Sequence, residues 1–279
     1  MMNNERTFMI TVAGEQLQVR LLRPEGLGSD DNLPTLVFLH DGLGSIAQWR
    51  DFPEALANVT GLPALIYDRC GSGGSDPSSD PGDKSHFDRE TARFTELLRV
   101  CNIERPILVG HSDGATIALQ FAAAEPKWPL GVVSLAAHLF AEEETMGEIR
   151  RAGERYRNDG LREKLMRFHG DKTDRLFATW SAVWEDALSS DWNVEEHLKT
   201  VLCPVLALQG DRDEYGTLRQ VQAVAVGVSG PCTRLILPGC GHFPHLTVSV
   251  ETLAALNPFI LGLIGPSGSG RRQRTVTRQ

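Results

Sequence analysis

Short, continuously apolar runs separated by polar, helix-prone stretches organise most of the chain. Thr35 to Leu39, Ala64 to Tyr67, Pro106 to Val109 and Pro204 to Leu208 are such runs, and Gly131 to Ala136 and Arg234 to Leu237 fit as two more. A strand with one wet face alternates apolar and polar residues, so unbroken runs this short fit strands covered on both faces, as in a parallel sheet. Glu90 to Val100 and Ala115 to Ala124 read as helices between them. The alternation predicts an open α/β architecture, a mostly parallel central sheet flanked by helices. Thr7 to Val12 and Gln16 to Leu22 are β-rich and joined across Ala13-Gly14-Glu15, an opening hairpin. Ligands of such sheets collect at the carboxyl ends of the strands.

The pattern breaks after His138. Glu142 to Glu144, Glu148 to Asn158, Leu161 to Phe168 and Thr173 to Ala187 are polar and helix-prone, with Trp180, Trp184 and Trp192 interspersed. Roughly sixty residues exceed a single crossover connection. The segment 139–200 is therefore expected to be a helical cap inserted between two strands, leaving 1–138 and 201–264 as the core. The tryptophans are expected to form the cap's own core, and Trp180 and Trp184 to line the substrate cavity. From Gly265 the chain turns glycine- and serine-rich and then arginine-rich, so 265–279 reads as a disordered tail without a function.

The net charge of −8 includes four arginines crowded into the last nine residues, so the remainder is more acidic still. An acidic surface argues against nucleic acid, which needs cationic neutralisation, and gives no help in docking on anionic lipid. A small-molecule substrate is the expected partner; oligomeric state is not readable. Five cysteines without a C-x-x-C pair suit free thiols in a reducing compartment. The opening Met-Met-Asn-Asn-Glu-Arg has no signal-peptide core and no run approaches membrane-spanning length, so a cytoplasmic location is expected.

The candidate chemistry lies where the strands end. Gly110-His111-Ser112-Asp113-Gly114 is a G-x-S-x-G pentapeptide directly after a buried strand and before a helix. In that context the glycines permit a strained turn that lifts the Ser112 oxygen above the sheet edge. An unassisted serine hydroxyl is a poor nucleophile near neutral pH, so it needs a base and the base an orienting acid. Chain order in this architecture is Ser, then Asp or Glu, then His. The strand ending at Leu208 delivers Asp211, Asp213 and Glu214, and the strand ending at Leu237 delivers His242 and His245. The residues alone leave those alternatives open. One oxyanion donor falls to the backbone amide of Asp113, the residue after the nucleophile; the other is expected in the loop after the His40 strand. The Asp113 side chain is expected to cap the following helix or face solvent, with substrate contact as the rival reading. His111 is expected to point away from Ser112. His138, His169 and His197 are too dispersed for a metal site and are expected as partly exposed cap histidines; His138, at a strand end, is the one placed for substrate contact. Cys70-Gly71-Ser72-Gly73 lacks both the phosphate-loop Gly-Lys-Thr/Ser ending and the dinucleotide spacing. No cofactor and no metal are expected.

With these motifs the chain resembles the α/β-hydrolase superfamily up to about Gly262. The resemblance implies the α/β-hydrolase fold with a helical cap, and it places the acid third after the glycine of a G-x-x-D turn, at Asp213. It places the base in a Gly-His pair after the last strand, at His242. The family's oxyanion loop begins His-Gly-x with a Trp nine residues after the His; Trp49 stands there, which puts the donor at Gly42, with Leu43 the alternative, and puts Asp41 where glycine is usual. A carboxylate beside a developing negative charge is unfavourable, so the Asp41 side chain is expected to turn away. The Asp68-Arg69 stretch matches a structural turn of the family. A group of bacterial hydrolases shares the His40-x-Gly42-Leu43-Gly44-Ser45 loop and the Asp213-Glu214-Tyr215-Gly216 stretch, but brings no substrate with it. The expected function is a serine hydrolase cleaving a small or medium carboxylic ester or thioester through Ser112, His242 and Asp213 and an acyl-enzyme. The rivals are a carbon–carbon bond hydrolase or lyase or a lactonase using the same triad, and a ligand receptor without turnover. A haloalkane dehalogenase needs a carboxylate where Ser112 stands.

Overall fold

The computed structural model describes residues 5–24 and 33–265. The expectation of a disordered tail concerns, beyond Gly265, residues outside those described. Strands β1 (Arg6–Val12), β2 (Glu15–Leu22), β3 (Thr35–Leu39), β4 (Ala64–Tyr67), β5 (Pro106–His111), β6 (Gly131–Leu135), β7 (Val205–Gly210) and β8 (Cys232–Leu237) form one sheet in the order β1-β2-β4-β3-β5-β6-β7-β8. β1 pairs antiparallel with β2, and β2 with β4; the remaining pairs are parallel. Helices α1 (Phe52–Thr60), α2 (His86–Val100), α3 (Asp113–Ala124), α4 (Glu143–Asn158), α5 (Leu161–His169), α6 (Thr173–Ser189), α7 (Leu218–Gly227), α8 (Pro244–Thr247) and α9 (Ser249–Ile264) complete it.

Side chains alternate across β3, so Leu36 and Phe38 enter one apolar layer while Val37 and Leu39 enter the other. Phe52 and Leu56 of α1 and Leu256 and Ile260 of α9 complete the first layer; Phe94 of α2, Phe121 of α3 and Val221 of α7 build the second. Both faces are covered, which is why the strands read as unbroken apolar runs.

Helices α4, α5 and α6 occupy the segment between β6 and β7 that was expected to be a cap. The tryptophans do not form a separate core there. Trp192 stacks on Phe87 of α2 at 4.8 Å, Trp184 meets the same ring edge-on at 5.7 Å, and the layer runs without a break from α2 and α3 into these helices. Glu142, directly before α4, does not face solvent. That carboxylate is buried and accepts hydrogen bonds from Thr217 and Gln220. β3 lies between β4 and β5, so the chain reverses its direction of winding at β3 and β5. The crevice where ligands bind in open sheets therefore opens between the loops after these two strands.

Candidate active site

The loop after β5 is shaped by its glycines. Ser112 adopts φ 53°, a left-handed backbone conformation rarely taken by serine. Such strain costs on the order of 1–3 kcal/mol and persists only where the surroundings impose it. They do so here: a Cβ on Gly110 would lie 2.4 Å from the Gly114 carbonyl oxygen, and one on Gly114 would lie 2.1 Å from the Leu39 carbonyl oxygen. The Ser112 amide donates to the Leu135 carbonyl at 2.9 Å, fixing the turn against β6.

Three loops converge on this serine. His242 Nε2 lies 2.9 Å from Ser112 Oγ, and His242 Nδ1 lies 2.8 Å from Asp213 Oδ1. Asp213 Oδ1 also accepts the Tyr215 amide at 2.9 Å and its Oδ2 the Gln209 side-chain amide at 3.1 Å, so the carboxylate is fixed at both oxygens. A carboxylate only accepts, so Nδ1 carries the proton and Nε2 is left to accept from the serine hydroxyl. Burial opposes charge on His242, but the Asp213 carboxylate overrides it and raises the imidazole pKa above 6.5. The same attraction overrides burial at Asp213 and holds its carboxyl below its ordinary range. The rival residues lie elsewhere in the same loops. Asp211 Oδ1 accepts the Gly239 amide, Glu214 Oε2 accepts the His242 amide, and His245 packs its ring against Trp49 and His111.

The loop after β3 faces the serine from the other side. Asp41, which stands where the resemblance expects glycine, turns its Oδ1 onto the Leu43 amide at 3.0 Å and its Oδ2 towards His111 Nδ1 at 3.5 Å. His40 donates from Nδ1 to the Asp41 carbonyl and accepts the Arg69 amide at Nε2. Burial and the Arg69 charge hold that imidazole neutral, its pKa pulled down to about 3. A side chain at Gly42 would collide with Trp180 and with Asp113 Oδ2 at 2.6 Å. His111 points away from Ser112, and Nε2 donates to the His242 carbonyl.

Ser112, His242, Gly42, His138, Trp180 and Trp184 line a chamber of about 60 Å³. A second cavity of about 230 Å³ shares Gly42, Asp113 and Trp180 with it as common wall. His138 is buried, not partly exposed; Nε2 donates to the Tyr215 carbonyl at 3.2 Å, and burial lowers its pKa to about 4. His169 is buried too, and the sequence reading missed what it does. Its Nδ1 accepts the Gly73 amide at 2.9 Å and its Nε2 donates to the Leu43 carbonyl at 3.0 Å, tying the end of α5 to two core loops. Tyr215, also unforeseen, sets its ring 4.6 Å from that of His242. Asp113 neither caps α3 through its side chain nor faces solvent; it is 2% exposed at the boundary of the two cavities. Among the described residues no three His, Cys, Asp or Glu side chains converge as metal ligands, and no helix is long and apolar enough to cross a membrane.

Known proteins can be set beside this geometry. A 2-succinyl-6-hydroxy-2,4-cyclohexadiene-1-carboxylate synthase of Escherichia coli O1:K1 is 31% identical over 160 residues, 57% of this chain and 58% of that one. The same-named protein of Escherichia coli O157:H7 is 30% identical over the same shares. The chain thus spans under two thirds of the length of these curated relatives. Among solved structures, a membrane phospholipase A superposes with TM-score 0.74 at 20% identity, covering 94% of this chain and 87% of that one. An enol-lactonase from Burkholderia xenovorans superposes with TM-score 0.71 at 17% identity, covering 91% and 99%. These show a shared fold. The sequence profile of the alpha/beta hydrolase family matches residues 36–256, from β3 into α9 and across every loop that meets at Ser112, so this chain is an enzyme belonging to the alpha/beta hydrolase family.

Proposed function

We propose that the enzyme is a serine hydrolase that cleaves a small or medium carboxylic ester or thioester. The reading is carried by the hydrogen-bonded chain from Ser112 Oγ through His242 to Asp213. Ser112 attacks the substrate carbonyl while His242 Nε2 takes the hydroxyl proton, and the imidazolium so formed is held by Asp213. His242 then returns that proton to the departing alkoxide or thiolate, leaving Ser112 acylated. Water, deprotonated by His242, attacks the acyl carbon, and the serine leaves with its proton restored. The oxyanion of each tetrahedral intermediate is held by the backbone amides of Asp113 and Gly42. Gly42 is favoured over Leu43 because the Leu43 amide already donates to Asp41 Oδ1. In this reading the segment 139–200 is a cap that sets substrate choice through Trp180, Trp184 and His138. No cofactor or metal takes part. Cysteines that are all free among the described residues support a reducing, cytoplasmic setting.

A second reading has the same residues breaking a carbon–carbon bond or opening a lactone. It draws support from the name of the Escherichia coli relatives, a cyclohexadiene-carboxylate synthase. p-Nitrophenyl esters of graded acyl length, assayed with wild type and Ser112→Ala, separate the two. Ester hydrolysis lost on the order of a million-fold in the variant is expected. Wild type and variant equally inert on every ester would overturn the esterase reading and move the carbon–carbon or lactone chemistry ahead.

A further inference from the structure

Most charged side chains around the larger cavity have partners of their own. Arg69 lies 3.7 Å from Glu90 and donates to the Asp41 carbonyl at 2.7 Å. His86 meets Asp80 at 3.0 Å. The Lys172 ammonium donates to the carbonyls of Ser72, Gly73 and Ser75 and lies close enough to Asp68 to favour its charged form. Asp171 and Arg175, of opposite sign, are exposed at the mouth. Asp113 differs: among the described residues its carboxylate receives no hydrogen bond, although its side chain is only 3% exposed. Its nearest cation, Arg69 Nη2, is 4.0 Å away, beyond hydrogen-bond reach and already engaged. Burial disfavours the charged carboxyl there and raises its pKa, so a ligand that brings a donor or a positive charge into the cavities is what favours the carboxylate.

We propose that Asp113 is a specificity-determining residue whose carboxylate binds a protonated amino group on the α-carbon of the acyl half, making α-amino esters the preferred substrates. The proposal rests on the serine-hydrolase reading above. Asp113 follows the nucleophile directly and lines both cavities, so its carboxylate belongs beside the acyl carbon held on Ser112. A free negative charge there opposes the oxyanion that forms during attack; a substrate ammonium between the two neutralises it, and a neutral acyl group does not. The larger cavity, with Leu176, Trp180 and Val183 in its wall, takes the apolar side chain of the amino acid.

The test compares kcat/KM of the full-length protein on L-alanine benzyl ester, benzyl isobutyrate and benzyl lactate by chromatographic measurement of benzyl alcohol. These differ in carrying an ammonium, a methyl or a hydroxyl group on the same carbon. The expected result is a preference of about 10- to 100-fold for the alanine ester over the isobutyrate, falling towards one in Asp113→Asn. Equal turnover of alanine ester and isobutyrate overturns the proposal, and a preference for the lactate overturns it in favour of a hydroxyl ligand. Should Asp113→Asn fail to fold, the wild-type ratios decide alone. Labelling of Ser112 by a fluorophosphonate, measured in parallel, keeps the two levels apart. Labelling without turnover of the alanine ester overturns the amine proposal only, whereas absence of labelling overturns the serine-hydrolase reading beneath it.

Discussion

His111 donates from Nε2 to the backbone carbonyl of His242 at 2.8 Å, one residue before Ser112. The turn that presents the serine therefore also clamps the loop that presents the histidine. His111 is fully buried, its ring 5.1 Å from that of Phe243 and 4.6 Å from that of His245. Replacing His111 with Phe keeps a ring of similar size and removes the donor. Stability is expected to fall by about 1–3 kcal/mol, the penalty of an unmet buried carbonyl, and kcat by about tenfold as His242 loses its position. Denaturant unfolding and steady-state kinetics check this; an unchanged kcat would show that the His242 loop is held by other contacts.

The Asp213 carboxylate raises the His242 pKa above 6.5. A general base must be neutral, so kcat/KM is expected to rise with pH through a midpoint above 6.5. Asp213→Asn removes the charge that sustains the shift, moving that midpoint to lower pH while kcat drops by about 10⁴-fold. The effect on stability runs the other way. A group whose folded pKa is raised adds its full stabilisation below 6.5 and loses it as pH climbs through the folded value. A pH–rate profile of both proteins is the measurement, and a midpoint unmoved by Asp213→Asn would detach the shift from that carboxylate.

Alanine substitutions at two glycines of the site should fail in different ways. At Gly114 the added Cβ would sit 2.1 Å from the Leu39 carbonyl oxygen and 2.6 Å from that of His40, backbone that cannot yield. Gly114→Ala is expected to destabilise by about 3 kcal/mol or more, seen as a lower unfolding midpoint or loss of soluble protein. At Gly42 the nearest atoms belong to the side chains of Trp180 and Asp113. Gly42→Ala is expected to fold, displace both, and reduce kcat/KM by about 10²-fold.

His169 bridges the Gly73 amide and the Leu43 carbonyl. His169→Ala is expected to lower stability by about 1–3 kcal/mol. It should also speed hydrogen exchange at the Gly73 amide, a readout that general loosening far from this bridge would not move selectively. Retained protection at Gly73 would mean that the amide finds another acceptor.

The strands were legible because a parallel sheet buries both faces, so β3, β4 and β5 are written as unbroken apolar runs with sharp ends. The elbow around Ser112 was legible for a related reason: a turn that brings Gly114 within reach of the Leu39 carbonyl admits only glycine, and the sequence records it. The helices α1, α7 and α9 went unread. α9 is apolar over most of its length and carries Pro258 inside, which blurs its helical period. The acid and base were narrower than a guess but not decided by their neighbours. Asp211, Asp213 and Glu214 crowd one turn, all can accept a hydrogen bond, and only the approach of the loop after β8 determines which meets the imidazole. Asp113 was expected to cap or to face solvent because helix N-termini usually reach water; helix α6, some seventy residues further along the chain, supplies Trp180 to cover it. The bridge from His169 to Gly73 and Leu43 likewise has no local signature. Strand, turn and nucleophile are fixed by backbone geometry among near neighbours, which composition records directly. Which polar groups are buried, and beside what, depends on contacts across 96 to 130 positions, and only the folded chain decides those.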